Sequence, residues 1–93
     1  MRVAWTVRSS RDLRSIRAYI AQDDPRAAQA VAIRILESVE RLSAFPASGR
    51  RGRIPNTREL VVTGTPFYLP YRVTGDIVEI LGVIHGTRKW PED

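Results

Sequence analysis

The most apolar window of the chain is Ile77-Val-Glu-Ile-Leu-Gly-Val-Ile-His85, where six of nine residues are Ile, Val or Leu and five of those are β-branched. So short and apolar a run predicts a strand covered on both faces, because a half-exposed strand alternates with polar residues. Glu79 is its one charge and belongs near an end or a rim. Before it, residues 67–73 alternate at period two, and Thr74-Gly75-Asp76 supplies a three-residue link, so the two runs form a β-hairpin. Pro70 removes a ladder donor in mid-strand, which calls for an edge or a bulge.

Toward the N-terminus, Val3, Trp5 and Val7 alternate with Ala4 and Thr6, predicting a short first strand with one face inward. Ser9-Ser10-Arg11-Asp12 has the spacing of a capping box, with Asp in place of Glu. Leu13, Ile16 and Ile20, with Tyr19 beside them, then predict an amphipathic helix. Asp24-Pro25 reads as an N-cap followed by a first helical proline, opening a second helix over about 25–43. Its apolar stripe is Ala28, Val31, Ile35, Val39 and Leu42, widened by Ala32 and Leu36. Residues 45–56 break all periodicity with two glycines, two prolines and three arginines, and read as a basic loop. A further strand over 57–63 closes at Gly64-Thr65-Pro66. The expected order is β-α-α-β-β-β. It describes a single α+β domain over 1–93, a helical hairpin on one face of a small, mostly antiparallel twisted sheet.

Composition narrows the partners. Fifteen basic residues face ten acidic ones, for a net charge of +5 and a pI near 10.7. Fourteen of the fifteen are arginine, and Lys89 is the single lysine. Arginine's flat, permanently charged fork suits carboxylate and phosphate, which fits a nucleic acid, an acidic protein or simply a solubilising surface. No apolar run approaches the ~20 residues of a membrane span, and the N-terminal residues lack the apolar core of a signal peptide. There is no cysteine. Cytoplasm is the default location.

Candidate chemistry is sparse. His85 is the only histidine, no carboxylate cluster accompanies it, and no nucleophile or phosphate-loop motif is present. The expectation is therefore no metal and no cofactor. What remains is a basic set, Arg50, Arg51, Arg53, Arg58, Arg72, Arg88 and Lys89, with Tyr68, Tyr71 and Trp90 close in sequence. Trp90 before Pro91 reads as an anchor for the chain end. Metal-free RNA cleavage needs a proton acceptor, cationic stabilisation of the phosphorane and a proton donor, for which Arg72, His85 and Arg88 are the candidates.

These residues fall in a familiar pattern. Asp12-Leu13, Ile16 and Tyr19-Ile20 are followed by Asp24-Pro25 with Ala27-Ala28, then Pro46, Gly49-Arg50, Thr57-Arg58-Glu59-Leu60 and Tyr71-Arg72-Val73. Ile80-Leu81, Val83, His85, Arg88 and Trp90-Pro91 complete it. The chain resembles the RelE/ParE superfamily of type II toxins, and is most similar to the ParE-like branch. That resemblance implies a growth-inhibiting toxin of the plasmid-stabilization kind, held in a hetero-oligomer by a cognate antitoxin. It implies poisoning of DNA gyrase without catalysis, through a target or antitoxin surface of Arg50, Arg51, Arg53, Arg58, Arg72, Arg88, Lys89 and Trp90. The alternatives are a RelE-like endonuclease acting on mRNA at the ribosome, using Arg72, His85 and Arg88, and a non-toxic basic nucleic-acid-binding domain. Trp90 stands where the nuclease branch is expected to carry a tyrosine, and the strand after Thr57 lacks that branch's lysine pair.

Overall fold

Asp24 caps a helix as its sequence suggests, its carboxylate accepting the Arg26 and Ala27 amides at 3.1 Å each. In the computed structural model, which describes residues 1–92, this cap opens α2 (Pro25–Ala44), the longer of two helices. The full order is β1 (Arg2–Trp5), α1 (Val7–Ala21), α2, β2 (Arg50–Arg51), β3 (Arg58–Val61), β4 (Phe67–Thr74), β5 (Ile77–Ile80) and β6 (Ile84–His85). The strands run β1-β5-β4-β3-β2, with β6 pairing β4 beyond the end of β5. Only β1 and β5 are parallel; the other pairs are antiparallel. The α+β plan, a helical hairpin on a mostly antiparallel sheet, is as expected, but with six described strands instead of four.

The first helix starts earlier than its pattern suggests. Thr6 is the N-cap, its hydroxyl oxygen accepting the Ser9 amide at 3.0 Å. Val7 is therefore helical and largely exposed rather than an inward strand residue. Ser9-Ser10-Arg11-Asp12 lies inside the helix and is no capping box. The hydroxyl of Thr6 wins because it also reaches the Ile80 carbonyl at 2.8 Å, fastening the helix start to the sheet. On α2, Ala28, Ala32, Ile35, Val39 and Leu42 are buried, whereas Leu36 lies on the exposed side.

The predicted strand over 77–85 is two strands. Between the pairs Tyr71↔Ile80 and Tyr68↔Ile84, β4 has two residues, Leu69 and Pro70, facing three, Leu81, Gly82 and Val83. That surplus residue is a bulge. Pro70 is interior rather than at an edge, and its carbonyl accepts the Leu81 amide at 2.8 Å. A residue's N–H and C=O point to the same side of an antiparallel strand, so the donor that proline lacks faces the bulge. Asp12 repairs the other side, its carboxylate accepting the Val83 amide at 3.0 Å. The β4–β5 link is also shorter than expected. Thr74 pairs with Ile77, leaving a two-residue turn, and Gly75 takes the positive φ (60°) that a primed hairpin turn requires at its first position.

Ile35, Val39 and Leu42 pack on Val62, Leu69, Tyr71, Val78 and Ile80 to form the core. Tyr71 is fully buried, and its hydroxyl donates to the Pro46 carbonyl at 2.7 Å and accepts the Gly49 amide at 2.9 Å. Gly49 fits only as glycine, because a Cβ would stand 2.6 Å from that hydroxyl and 2.9 Å from the Glu59 carbonyl. The tyrosine thus pins the 45–49 loop, and β2 follows directly from it. Two residues cannot show period two, which is why β2 reads as loop in the sequence.

Removing the Tyr71 hydroxyl leaves a buried donor and acceptor unmatched. Tyr71→Phe is expected to cost about 1–3 kcal/mol in urea unfolding. Burial raises the Tyr71 pKa above its ordinary value near 10.0. The folded state therefore resists ionisation, so its stabilisation holds below pH 10 and declines as pH rises further. Tyr71→Phe should flatten that alkaline decline, as followed by unfolding midpoints between pH 8 and 11.

Candidate binding surface

Alternation along β4 sorts its side chains between two faces. Leu69 and Tyr71 point into the core under α2, so Tyr68, Pro70 and Arg72 belong to the face away from the helices. Register extends that face across the sheet: Glu59 opposite Pro70, Arg50 opposite Glu59, and Glu79 opposite Arg72. Two cross-strand ion pairs result, Arg50–Glu59 at 3.1 Å and Arg72–Glu79 at 2.6 Å. The Arg50 guanidinium also stands 5.9 Å from the centre of the Tyr68 ring. Tyr68 donates its hydroxyl to the Arg88 carbonyl at 2.8 Å, which ties the chain end to the sheet. Burial, and then the nearby Glu59 charge, push the Tyr68 pKa up. Trp90 is half-buried and joins Arg50, Arg53, Tyr68, Arg88 and Lys89 around one depression on this face.

Arg58 lies opposite Tyr71 and so on the helix side, where its guanidinium donates to the Gly49 carbonyl at 2.9 Å and the Ala47 carbonyl at 3.4 Å. With Arg51, Arg53 and Arg72 it borders a second concavity, of about 600 Å³, at the end of the β2–β3 pair. Arg53 borders both depressions and donates to the Pro91 carbonyl at 3.4 Å. Arg51, Arg88 and Lys89 form no ion pair among the described residues.

His85 sits elsewhere. It is opposite Phe67, whose ring it meets edge-on at 5.7 Å, in a groove beside α1. Its Nδ1 accepts the Thr87 amide at 3.2 Å, an arrangement that leaves the neutral ring's proton on Nε2. Arg88 borders the same groove, along with Asp12, Arg8 and Glu92. Arg72 does not join them. It is five positions along β4 from Phe67 (72 − 67), an odd step that places it on the other face roughly 17 Å away. The three residues that could cleave RNA are therefore divided, with His85 and Arg88 together and Arg72 apart. Sequence reasoning missed Asp12 as the support of the bulge and Glu59 and Glu79 as arginine partners. Period-two spacing around Pro70 and Arg72 was the available signal for the two glutamates; nothing in the sequence signalled the role of Asp12.

The arginines thus divide into structural and free ones. Arg51→Ala and Lys89→Ala are expected to change stability by less than about 0.5 kcal/mol. Arg58→Ala strips two carbonyls of their donor and should cost about 1 kcal/mol or more, read from thermal melting of the three variants side by side.

Known proteins resemble this chain in sequence and in fold. The family model described as ParE toxin of type II toxin-antitoxin system, parDE, matches residues 3–90. Protein Y4kP of Sinorhizobium fredii is 50% identical over 91 residues, covering 98% of this chain and 94% of that protein. Toxin RelE2 of Caulobacter vibrioides is 38% identical over 86 residues, covering 92% and 96% respectively. A solved chain of the chromosomal ParDE TA system from P. aeruginosa superposes with a TM-score of 0.81 at 31% identity, covering 91% of this chain and 95% of that one. With a matching family model across nearly its whole length and a fold to suit, the chain belongs to the ParE toxin family of type II toxin–antitoxin systems.

Proposed function

We propose that this toxin arrests growth by binding DNA gyrase as a non-catalytic inhibitor, and that a cognate antitoxin silences it within a toxin–antitoxin hetero-oligomer in the cytoplasm. The observation that carries this reading is the separation of Arg72 from His85 across two faces of the sheet. A phosphodiester cleavage site needs its acid, base and charge-stabilising groups within contact of one phosphate. A protein-binding surface has no such requirement and can use Arg50, Arg51, Arg53, Arg88, Lys89 and Trp90 as a spread of contacts. The antitoxin partner is supported by the family and by the ParDE relative. A net charge of +5 favours an acidic partner segment, because opposite fields speed encounter and select register.

A second reading keeps His85. It shares a groove with Arg88, and one relative is named Toxin RelE2, which together favour a ribosome-dependent mRNA endonuclease built on those two residues. Supercoiling of relaxed plasmid by purified gyrase separates the two. The expected result is loss of supercoiling at micromolar toxin, reduced in the Arg88→Ala/Trp90→Ala double variant and unchanged in His85→Ala. Intact supercoiling, together with new 5′ ends on a translated message that vanish in His85→Ala, would replace gyrase binding with cleavage.

A further inference from the structure

Two exposed stripes on the helical hairpin match each other residue for residue. On α1, Val7, Arg11 and Arg14 face solvent, spaced by four and then three positions. On α2, Ile33, Glu37 and Glu40 face solvent at the same spacing. Steps of four and three keep each set on one side of its helix. Val7 is 74% exposed and Ile33 48%, and Leu36, beside the second stripe, is 49% exposed. Arg11, Arg14, Glu37 and Glu40 form no ion pair among the described residues. Each stripe also sets two like charges one turn apart, which weakens a helix on its own. Packing does not account for these positions, since the core side chains of both helices point the other way, toward the sheet.

We propose that this face joins a second copy of the chain in a two-fold dimer, with α1 of one protomer lying parallel to α2 of its partner. In that register Val7 meets Ile33, Arg11 meets Glu37 and Arg14 meets Glu40, a constant step of 26 residues (33 − 7, 37 − 11, 40 − 14). The stripes cannot meet this way within one chain, because the short link over 22–24 makes α1 and α2 antiparallel. Symmetry selects a second copy over an unrelated partner. A half-turn about an axis through the outer face of the hairpin lays α1 over α2 twice, so one rotation satisfies both stripes. The position of that axis follows from the hairpin. Ser10, eleven residues before Ala21, is level with Leu36, eleven residues after Pro25. These two are also 26 residues apart (36 − 10), so the axis passes between them and brings the two Leu36 side chains toward each other. Residues 7–18 then overlap 33–44 in each pair, about 18 Å of helix. So small a footprint makes a weak dimer that salt loosens. The sheet faces of both copies stay open on opposite sides, which leaves pairing separate from any contact with gyrase.

Sedimentation equilibrium on the full chain, made by cell-free synthesis, tests the pairing. At low salt the weight-average mass is expected to rise from 10.5 kDa toward twice that value between micromolar and millimolar chain, and to fall back as salt is added. The double variant Glu37→Arg/Glu40→Arg should lose this rise, and so should Arg11→Glu/Arg14→Glu. All four positions are exposed, so both variants should keep the circular dichroism of the parent. An equimolar mixture of the two should recover the rise, because every arginine of the stripes then faces a glutamate again. Both variants keep a net positive charge, so overall attraction does not bring them together. A parent chain that stays monomeric at millimolar concentration and low salt would overturn the proposal. So would a dimer that survives either reversal, or a mixture that stays monomeric.

Discussion

The buried hydroxyl of Tyr71 is the contact on which the rest of the molecule depends. It is two bonds at once, given to Pro46 and received from Gly49, in a place that excludes water. Both partners lie in the segment between helix and sheet, which has no apolar periodicity to hold it. Pinned there, the chain enters β2 in register with β3, and Arg50 falls opposite Glu59. One core side chain thereby determines where the basic segment 50–53 runs. The position of the arginines is a consequence of packing beneath them.

A second constraint acts one residue earlier in β4, at Pro70. Proline in an interior strand is a missing donor, and the fold answers it with a surplus residue on the facing chain. The bulge divides the apolar run into β5 and β6 and frees the Val83 amide, which Asp12 then accepts. Because Asp12 is on α1, the repair also fastens the helix to the sheet. His85 comes just after this point, so its place beside α1 and opposite Phe67 follows from the bulge.

Charge is distributed unevenly by the same register. Arg50 and Arg72 meet glutamates across the strands, Arg58 meets carbonyls, and Arg51, Arg88 and Lys89 form no ion pair among the described residues. The basic surface is therefore neither a uniform field nor a set of neutralised pairs. It is two depressions joined at Arg53, one with aromatic rings and one without.

Much of the architecture was legible in the residues alone. Asp24-Pro25 marked the start of α2, and stripes at spacings of three and four marked both helices, because capping and amphipathicity are local. Alternation over 67–73 announced β4, and Pro70 announced a bulge or an edge. The tertiary structure alone decided the choice between them, the two-residue β2, the helix start at Thr6 and the pairing of Arg50 and Arg72 with glutamates. Each of these depends on a partner distant in the chain: Ile80 for Thr6, Val83 for Asp12, Glu59 for Arg50. Local pattern records what a residue prefers, but register across strands determines which residue it meets. That is why the basic composition was evident from the sequence, while the pairing of Arg50 with Glu59 and of Arg72 with Glu79 became visible only when the strands were laid side by side.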